Sequence, residues 1–428
     1  MNRSRTQLRT ARLLSLFVTA VFACSPARGD QAAALTLPAA IAEAQQNNPE
    51  IRMLAADVRG ARGEVATAKT WDNPSLAVSS GWRESEPSGT PSTKEFHGVF
   101  ELTQTIQFPG KRSLQHALAE KDVQLRQLAL SAFREQLEIQ VRRSFYTLLN
   151  SQQVFVLKQD EVTLSKTFAE SARKRVATGF APEFDATKAE VELVNAQSAL
   201  RDAEAQVAGA RAALNTLLGR KPDANLEVRG AIRSELILPA ETDFLQQVLA
   251  GNPSLKIQAT EVERTGLNLR SVRKSRLPDF TIGPSVEYLR DEQTYDFGIS
   301  LPLPLWDSKR GEIATATAEQ ERALAELQKL QQEVHRDVTT AYHNLVSARE
   351  SLALYTPELL TKLKTALDEA AQGYAAGRTT LLIYLETQRT YFDAQANYFD
   401  SLQKLYDAQA ALEMAAGRPL PELQEKTK

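Results

Sequence analysis

The chain is poor in the residues from which catalytic and redox centres are built. Its one cysteine is Cys24, near the start of the chain, so no disulfide and no cysteine-based metal site is expected after N-terminal processing. The four histidines, His97, His116, His335 and His343, form no i, i+4 pair, and neither G-x-S-x-G nor H-E-x-x-H occurs. "PGKRS" at Pro109 lacks the upstream glycine of a phosphate loop. These absences argue against an enzyme, a resident cofactor and a dedicated high-affinity metal site. Charge of one sign is also missing: 51 basic and 53 acidic residues leave a formal net charge of -2, with both signs mixed along the chain. Without a concentrated basic face to neutralise phosphates, nucleic acid is excluded as a partner. Beyond the N-terminus no run of about eighteen apolar residues exists, so a membrane-spanning helix is not available. If the chain crosses a bilayer, it must do so with strands.

What is present begins with an export signal. "MNRSRTQLRTAR" is basic and "LLSLFVTAVFA" is an apolar core of the right length. Cleavage at Ala27-Arg28-Gly29 places the signal at residues 1–29, whereas "VFAC" loosely matches a lipoprotein box and would make Cys24 a lipidation site. The two readings exclude each other.

The remainder is one design written twice. "NNPEIRMLAADVRGARGEVATAKTWDNPSLAV" from Asn47 aligns with "GNPSLKIQATEVERTGLNLRSVRKSRLPDFTI" from Gly251 at a constant offset of 204. Further on, "GKRSL" at Gly110 faces "SKRGE" at Ser308, and Gly179, Ala196, Gly219 and Arg220 recur as Gly377, Ala394, Gly417 and Arg418 at an offset of 198. The halves differ mainly in the loop "RESEPSGTPSTKE" after Trp82. This organisation predicts a first repeat over residues 30–220, a linker over 221–243, a second repeat over 244–418 and a tail over 419–428.

Each repeat reads as a helix, two strands, a very long helix, a short break and a second helix. The long helices are predicted from Lys111 to about Val176 and from Lys309 to about Ala375, each about 100 Å at 1.5 Å per residue. An opening helix over about 38–69 and a second helix over about 183–218 would lie end to end beside the long one. In that second helix Ala189, Leu193, Ala196, Leu200, Ala203, Val207, Ala210, Leu214 and Leu217 alternate in steps of four and three, a coiled-coil seam. A dimeric rod or a soluble bundle fits this seam equally well.

The strands narrow the choice. "FHGVFELTQTIQF" puts Phe96, Phe100, Leu102, Ile106 and Phe108 on one face, "PDFTIGPSVEYL" repeats the alternation, and "YDFGISLPLPL" aligns Tyr295, Phe297, Ile299, Leu301, Leu303 and Leu305. "PSLAVSSGW" is the weakest of the four. Strands of this kind suit an outer-membrane barrel wall or a soluble sandwich. A membrane barrel needs at least about eight strands, so several chains would have to close it: eight strands from two or twelve from three. Pro302 and Pro304 are expected late in the fourth strand, near the barrel's end.

The duplicated "NNP" and "GNP" helices, the paired "ATGFAPEFDATKAEVELVNAQSAL" and "AAGRTTLLIYLETQRTYFDAQANYF" turns, and the "LLGR" and "AAGR" ends resemble the TolC family of outer-membrane efflux factors. "QFPGKRSL" and "ISLPLPLWDSKRGEIATATAEQE" are most similar to its CzcC-type, heavy-metal branch. The resemblance implies a mainly α fold with a membrane β-barrel part: a homotrimer with a twelve-stranded barrel in outer-membrane lipid and an α-helical tunnel through the periplasm. It implies partners as well, a periplasmic adaptor and an inner-membrane RND-type pump, with divalent metal, drugs or secreted polypeptides as cargo. A non-conducting periplasmic coiled-coil scaffold is the alternative of a different class. By the same resemblance, Asp185 and Glu386 fall at the periplasmic aperture, and Arg175, Gly179, Gly377 and Arg378 at the tip that docks the adaptor. The acidic pattern is incomplete, since Ile383 and Lys188 stand where further acids are often found. A ring of carboxylates in a narrow constriction would favour cations. Both acids are also expected in the first turns of their helices, where the macrodipole favours them regardless of function.

Overall fold

A computed structural model describes residues 34–85, 92–230, 238–289 and 292–420. Cys24 and the export signal, residues 86–91 of the loop after Trp82, part of the 221–243 linker and the end of the tail lie outside the described residues; both ends of that expected loop belong to strands. In chain order the elements are α1 (Leu37–Asn47), α2 (Pro49–Lys69), β1 (Ser75–Ser85), β2 (Thr93–Ile106), α3 (Lys111–Ala177) and α4 (Glu183–Leu217). There follow α5 (Glu241–Gly251), α6 (Pro253–Ser275), β3 (Phe280–Leu289), β4 (Glu292–Ser300), α7 (Arg310–Ala353), α8 (Pro357–Ala375) and α9 (Leu381–Ala416).

The first long helix is continuous over 67 residues, about 100 Å. The second is not. Pro357 interrupts the expected 309–375 helix: its ring and missing N–H cannot continue a helix interior, so α7 stops and α8 restarts with Pro357 in its first turn. Thr356 caps that restart, its hydroxyl accepting from the Leu359 N–H at 3.2 Å. The opening helix is likewise two helices, divided at Asn48-Pro49, and α5 and α6 divide in the same way at Asn252-Pro253.

These Asn-Pro breaks splice short helices end to end. Asn252 Oδ1 caps α6 by accepting from the Ser254 and Leu255 N–H groups, and its Nδ2 donates to the Ala415 and Ala416 carbonyls at the end of α9. Asn48 does the same between α2 and α4, accepting from Glu50 N–H and donating to the Leu217 carbonyl at 3.1 Å. Each splice closes against a left-handed glycine: a Cβ at Gly219 (φ +75°) would stand 2.7 Å from the Asn47 carbonyl oxygen, and one at Gly417 (φ +72°) 2.6 Å from Pro253 Cδ. The arginines after them reach the preceding helix, Arg220 to Glu43 at 2.5 and 2.6 Å and Arg418 to Gln247 at 3.2 Å. The repeated "NP" and "GR" motifs are therefore the two sides of one joint.

The strands form a single antiparallel sheet in the order β1-β2-β3-β4. Register aligns Val78 with Phe100, Phe100 with Val286, and Val286 with Tyr295, so one apolar face runs across all four strands. Leu76, Trp82, Phe96, Leu102, Phe297 and Ile299 on that face are exposed. The opposite face is polar, with Arg83 bonded to Glu287 at 3.2 Å and His97 at 3.4 Å from the same carboxylate. β4 ends at Ser300, so Pro302 and Pro304 lie past the strand, where their missing donors are no longer needed by a ladder.

The helical part has two separate cores. The larger one gathers Leu137, Val141, Phe145, Leu148 and Leu214 from the first repeat with Val338, Leu345, Leu402 and Leu412 from the second. Tyr146 stacks on Tyr406 there at 4.6 Å. The smaller core surrounds Phe168, Ala172, Ala189, Tyr374, Leu381 and Tyr384, next to the two breaks that follow α3 and α8.

Candidate functional site at the two helix breaks

Both breaks are the same backbone device. After α3, the Gly179 N–H donates to the Val176 carbonyl and the Phe180 N–H to Arg175; after α8, Gly377 donates to Tyr374 and Arg378 to Gly373. This is the Schellman pattern, which places a left-handed residue just past the helix, and Gly179 and Gly377 supply it with φ of +75° and +73°. At Gly373 an added Cβ would lie 2.9 Å from the Thr379 side chain, so the second turn also closes tightly on itself.

Three of the residues singled out from the sequence gather round a side chain that was not, Tyr374. The Arg175 guanidinium donates to the Tyr374 carbonyl and lies 4.6 Å from its ring centroid. A Cβ at Gly377 would be 3.9 Å from the same guanidinium. Burial pushes the Tyr374 hydroxyl pKa up, Arg175 opposes the shift, and the negative charge of Asp185 adds to it. The buried Tyr374 hydroxyl has no hydrogen-bond partner among the described residues. Behind it, Phe168 stacks on Tyr384 at 4.2 Å, and burial pushes the Tyr384 hydroxyl up to about 12. Arg175 thus joins the two breaks within one chain. A conspicuous arginine is easily read from sequence; Tyr374, one aromatic among many, is marked only by its place three residues before Gly377.

Arg378 and Glu386 are exposed, and neither makes an ion pair within the described residues. Asp185 lies in the first turn of α4 with Glu183, where the helix dipole favours carboxylates. Glu386 does not lie in a first turn, because α9 begins at Leu381 and has no acid there. The dipole accounts for Asp185 but not for Glu386. Around these charges Phe180, Phe184, Leu382 and Ile383 are exposed, Phe180 to 79 %. Among the described residues no group of three or more His, Cys, Asp or Glu is placed to hold a metal ion, and no helix is long and apolar enough to cross a membrane.

The family model for outer membrane efflux protein matches residues 40–220 and 244–418, the greater part of the chain. The chain belongs to the outer membrane efflux protein family. A curated relative, the cobalt-zinc-cadmium resistance protein CzcC of Cupriavidus metallidurans, is 27 % identical over 391 residues, 91 % of either chain. The nickel-cobalt-cadmium resistance protein NccC of Alcaligenes xylosoxydans xylosoxydans is 24 % identical over 67 % of this chain and 65 % of its own. Among solved structures, the outer membrane protein VceC of Vibrio cholerae superposes with a TM-score of 0.73 at 18 % identity, covering 90 % of this chain and 96 % of VceC. CusC superposes with a TM-score of 0.74 at 18 % identity, covering 89 % and 92 %. The efflux protein described here is thus an outer-membrane channel that extends into the periplasm, a passive conduit and not an enzyme.

Proposed function

We propose that three copies of this chain close a twelve-stranded barrel, continue as a helical tunnel, and form the exit duct of a tripartite pump. The observation that carries this reading is the four-stranded sheet, apolar on one face, polar on the other, and ending in β1 and β4 with no further strand beside them among the described residues. Strand edges cannot face lipid unpaired, and one chain has too few strands to close on itself. A head-to-tail contact, β4 of one copy against β1 of the next, closes a ring when the rotation is right. The polar face then lines the lumen with Glu101, Glu287 and Asp296.

The cargo we assign is divalent heavy-metal cations, delivered by an inner-membrane RND-type pump through a periplasmic adaptor. The metal-resistance proteins among the relatives support this choice, as does a lumen face with more carboxylates than cations. In this reading Arg175, Gly179, Gly377 and Arg378 belong to the tip that receives the adaptor, beside the exposed Phe180, Phe184, Leu382 and Ile383. Asp185 and Glu386 set the charge of the aperture. Deleting the gene and measuring tolerance to zinc, cobalt and cadmium beside a panel of drugs tests the cargo. Loss of metal tolerance with drug tolerance unchanged is expected, and the reverse pattern overturns it. In planar bilayers, Asp185→Asn with Glu386→Gln should lower cation-over-anion permeability; an unchanged ratio removes both residues from the aperture.

A further inference from the structure

All four junctions between helix and strand lie at one end of the sheet. Register sets Ser75 opposite Thr103, Ile106 opposite Phe280, and Thr281 opposite Ser300. The α2–β1, β2–α3, α6–β3 and β4–α7 connections therefore share one level. Basic residues flank each of them, Lys69 alone at the first, and the duplicated "GKRS" and "SKRG" motifs supply two of the four.

Most of the carboxylates at this level already hold a lysine, and Asp72 meets only a neutral amide. Asp279 accepts from the Phe108 N–H at 2.7 Å and from Lys111 Nζ at 2.8 Å. Asp307 and Glu312 both hold Lys309, each at 2.8 Å, and Asp72 lies 3.5 Å from Gln107 Nε2. Lys69, Arg112, Arg273, Lys274, Arg276 and Arg310 are left with no carboxylate at ion-pair distance among the described residues. A Cβ at Gly110 would strike the Lys274 ammonium, so the glycine keeps room for that cation beside the start of α3.

Two tryptophans mark the same level. Trp71 carries the Arg112 guanidinium 4.5 Å from its ring centroid. Trp306, 93 % exposed, ends the exposed apolar run of Leu301, Leu303 and Leu305. Passing from the apolar face of the sheet toward the helices, the side chains are aliphatic and aromatic, then tryptophan, then cations that no carboxylate neutralises. That order matches half of a bilayer read from acyl chains to headgroups: tryptophan settles at the interface, and clustered Lys and Arg just beyond it attract anionic lipid.

We propose that this collar binds the phosphate headgroups of anionic phospholipids and thereby sets the depth at which the barrel sits. The proposal rests on the sheet being a membrane wall, as argued above. Free phosphate would satisfy the same cations, so the test must separate the two sources.

The full-length protein in detergent, in a Trp82→Phe background, leaves Trp71 and Trp306 as reporters. Their fluorescence is titrated with brominated phosphatidylglycerol and, in parallel, brominated phosphatidylcholine. The anionic lipid should bind about tenfold more tightly at low salt, the advantage of one headgroup meeting one or two of these cations. The preference should shrink toward equality as salt is raised to about 1 M, where screening reaches about 3 Å. The variant Lys69→Gln/Arg112→Gln/Arg273→Gln/Arg310→Gln should lose the preference, and Lys-for-Arg exchange at the last three positions should keep it. Equal quenching by the two lipids at low salt overturns the proposal, as does a preference that survives neutralisation. Loss of the preference on adding inorganic phosphate at constant ionic strength also overturns it, because the site would then be one for free phosphate. If the neutralised variant does not assemble, the salt titration of the parent protein decides. No quenching by either lipid overturns the membrane wall itself, a failure distinct from that of the collar.

Discussion

Glu413 is 1 % exposed and faces Arg142 on α3, 3.4 Å away, with Glu138 on the far side of the guanidinium. It also accepts from Gln409 Nε2 and from the Leu420 N–H, both close to 3 Å. Burial raises its pKa above the ordinary 4.5, and these three partners only oppose that rise. The folded chain therefore holds this proton more tightly than the unfolded one. Stability must fall as pH climbs from 4.5 through the raised folded value, and level off beyond it. Thermal midpoints in detergent should trace that decline, and Glu413→Gln, which keeps an acceptor for Leu420, should shallow it. Identical slopes in the two proteins would show that the carboxylate is not the source. Glu413→Leu is a harsher change, because it takes a buried carboxylate away from the buried Arg142 guanidinium, and should cost about 3 kcal/mol. The glycines allow a sharper contrast. Gly179→Ala meets no atom within 4 Å and should cost only the left-handed backbone, about 1–2 kcal/mol, whereas Gly219→Ala adds a collision with the Asn47 backbone. Its unfolding midpoint should drop further by the equivalent of about 1 kcal/mol or more. A β-branched residue at Gly179 or Gly377 should impair export while membrane insertion proceeds normally; normal export by both variants would detach these turns from function.

At the scale of elements, the Asn-Pro splices determine where helices stop. Asn252 makes four hydrogen bonds and is nearly inaccessible, while Asn48 makes two. Asn252→Ala should therefore cost about 2–3 kcal/mol, a lost cap plus buried carbonyls left unpaired, and Asn48→Ala about half of that. Equal losses would mean that the cap alone matters. Much of this layer was legible in the sequence, because the repeat exposes the paired "NP" and "GR" motifs and the strands show a period of two. The break at Pro357 was legible as well: the expectation of an uninterrupted 309–375 helix treated that segment as free of proline, whereas "SLALYTPELL" carries a helix-breaking residue in plain view. The rest escaped for physical reasons. The partnership of Arg142 with Glu413 spans 271 residues, a distance over which neither periodicity nor local motif carries information. Tyr374 escaped for the same reason: its role comes from Arg175, on the other repeat.

At the scale of the whole molecule, the two faces of the sheet should respond oppositely to charge. Phe297 sits midway along β4 on the apolar face, and neighbouring Ser285 on β3 lies on the polar one. Phe297→Lys should cost about 2–4 kcal/mol of insertion free energy and leave little heat-modifiable protein in the membrane fraction. Ser285→Lys should insert normally and weaken cation selectivity instead. Similar insertion of both variants would mean that neither face meets lipid.

The splices and the Pro357 break leave the helical tracks unequally continuous. α1–α2 and α5–α6 are each interrupted, and α7 and α8 are separated at Pro357. Among the described residues only α3 runs unbroken from the level of the sheet to a glycine break. It acts as a gauge bar, fixing the reach of each subunit at about 100 Å. Adding one heptad to α3 alone would lengthen the bar by about 10 Å, and the splices, being caps and not continuous helix, would be the places where its partners slip to follow.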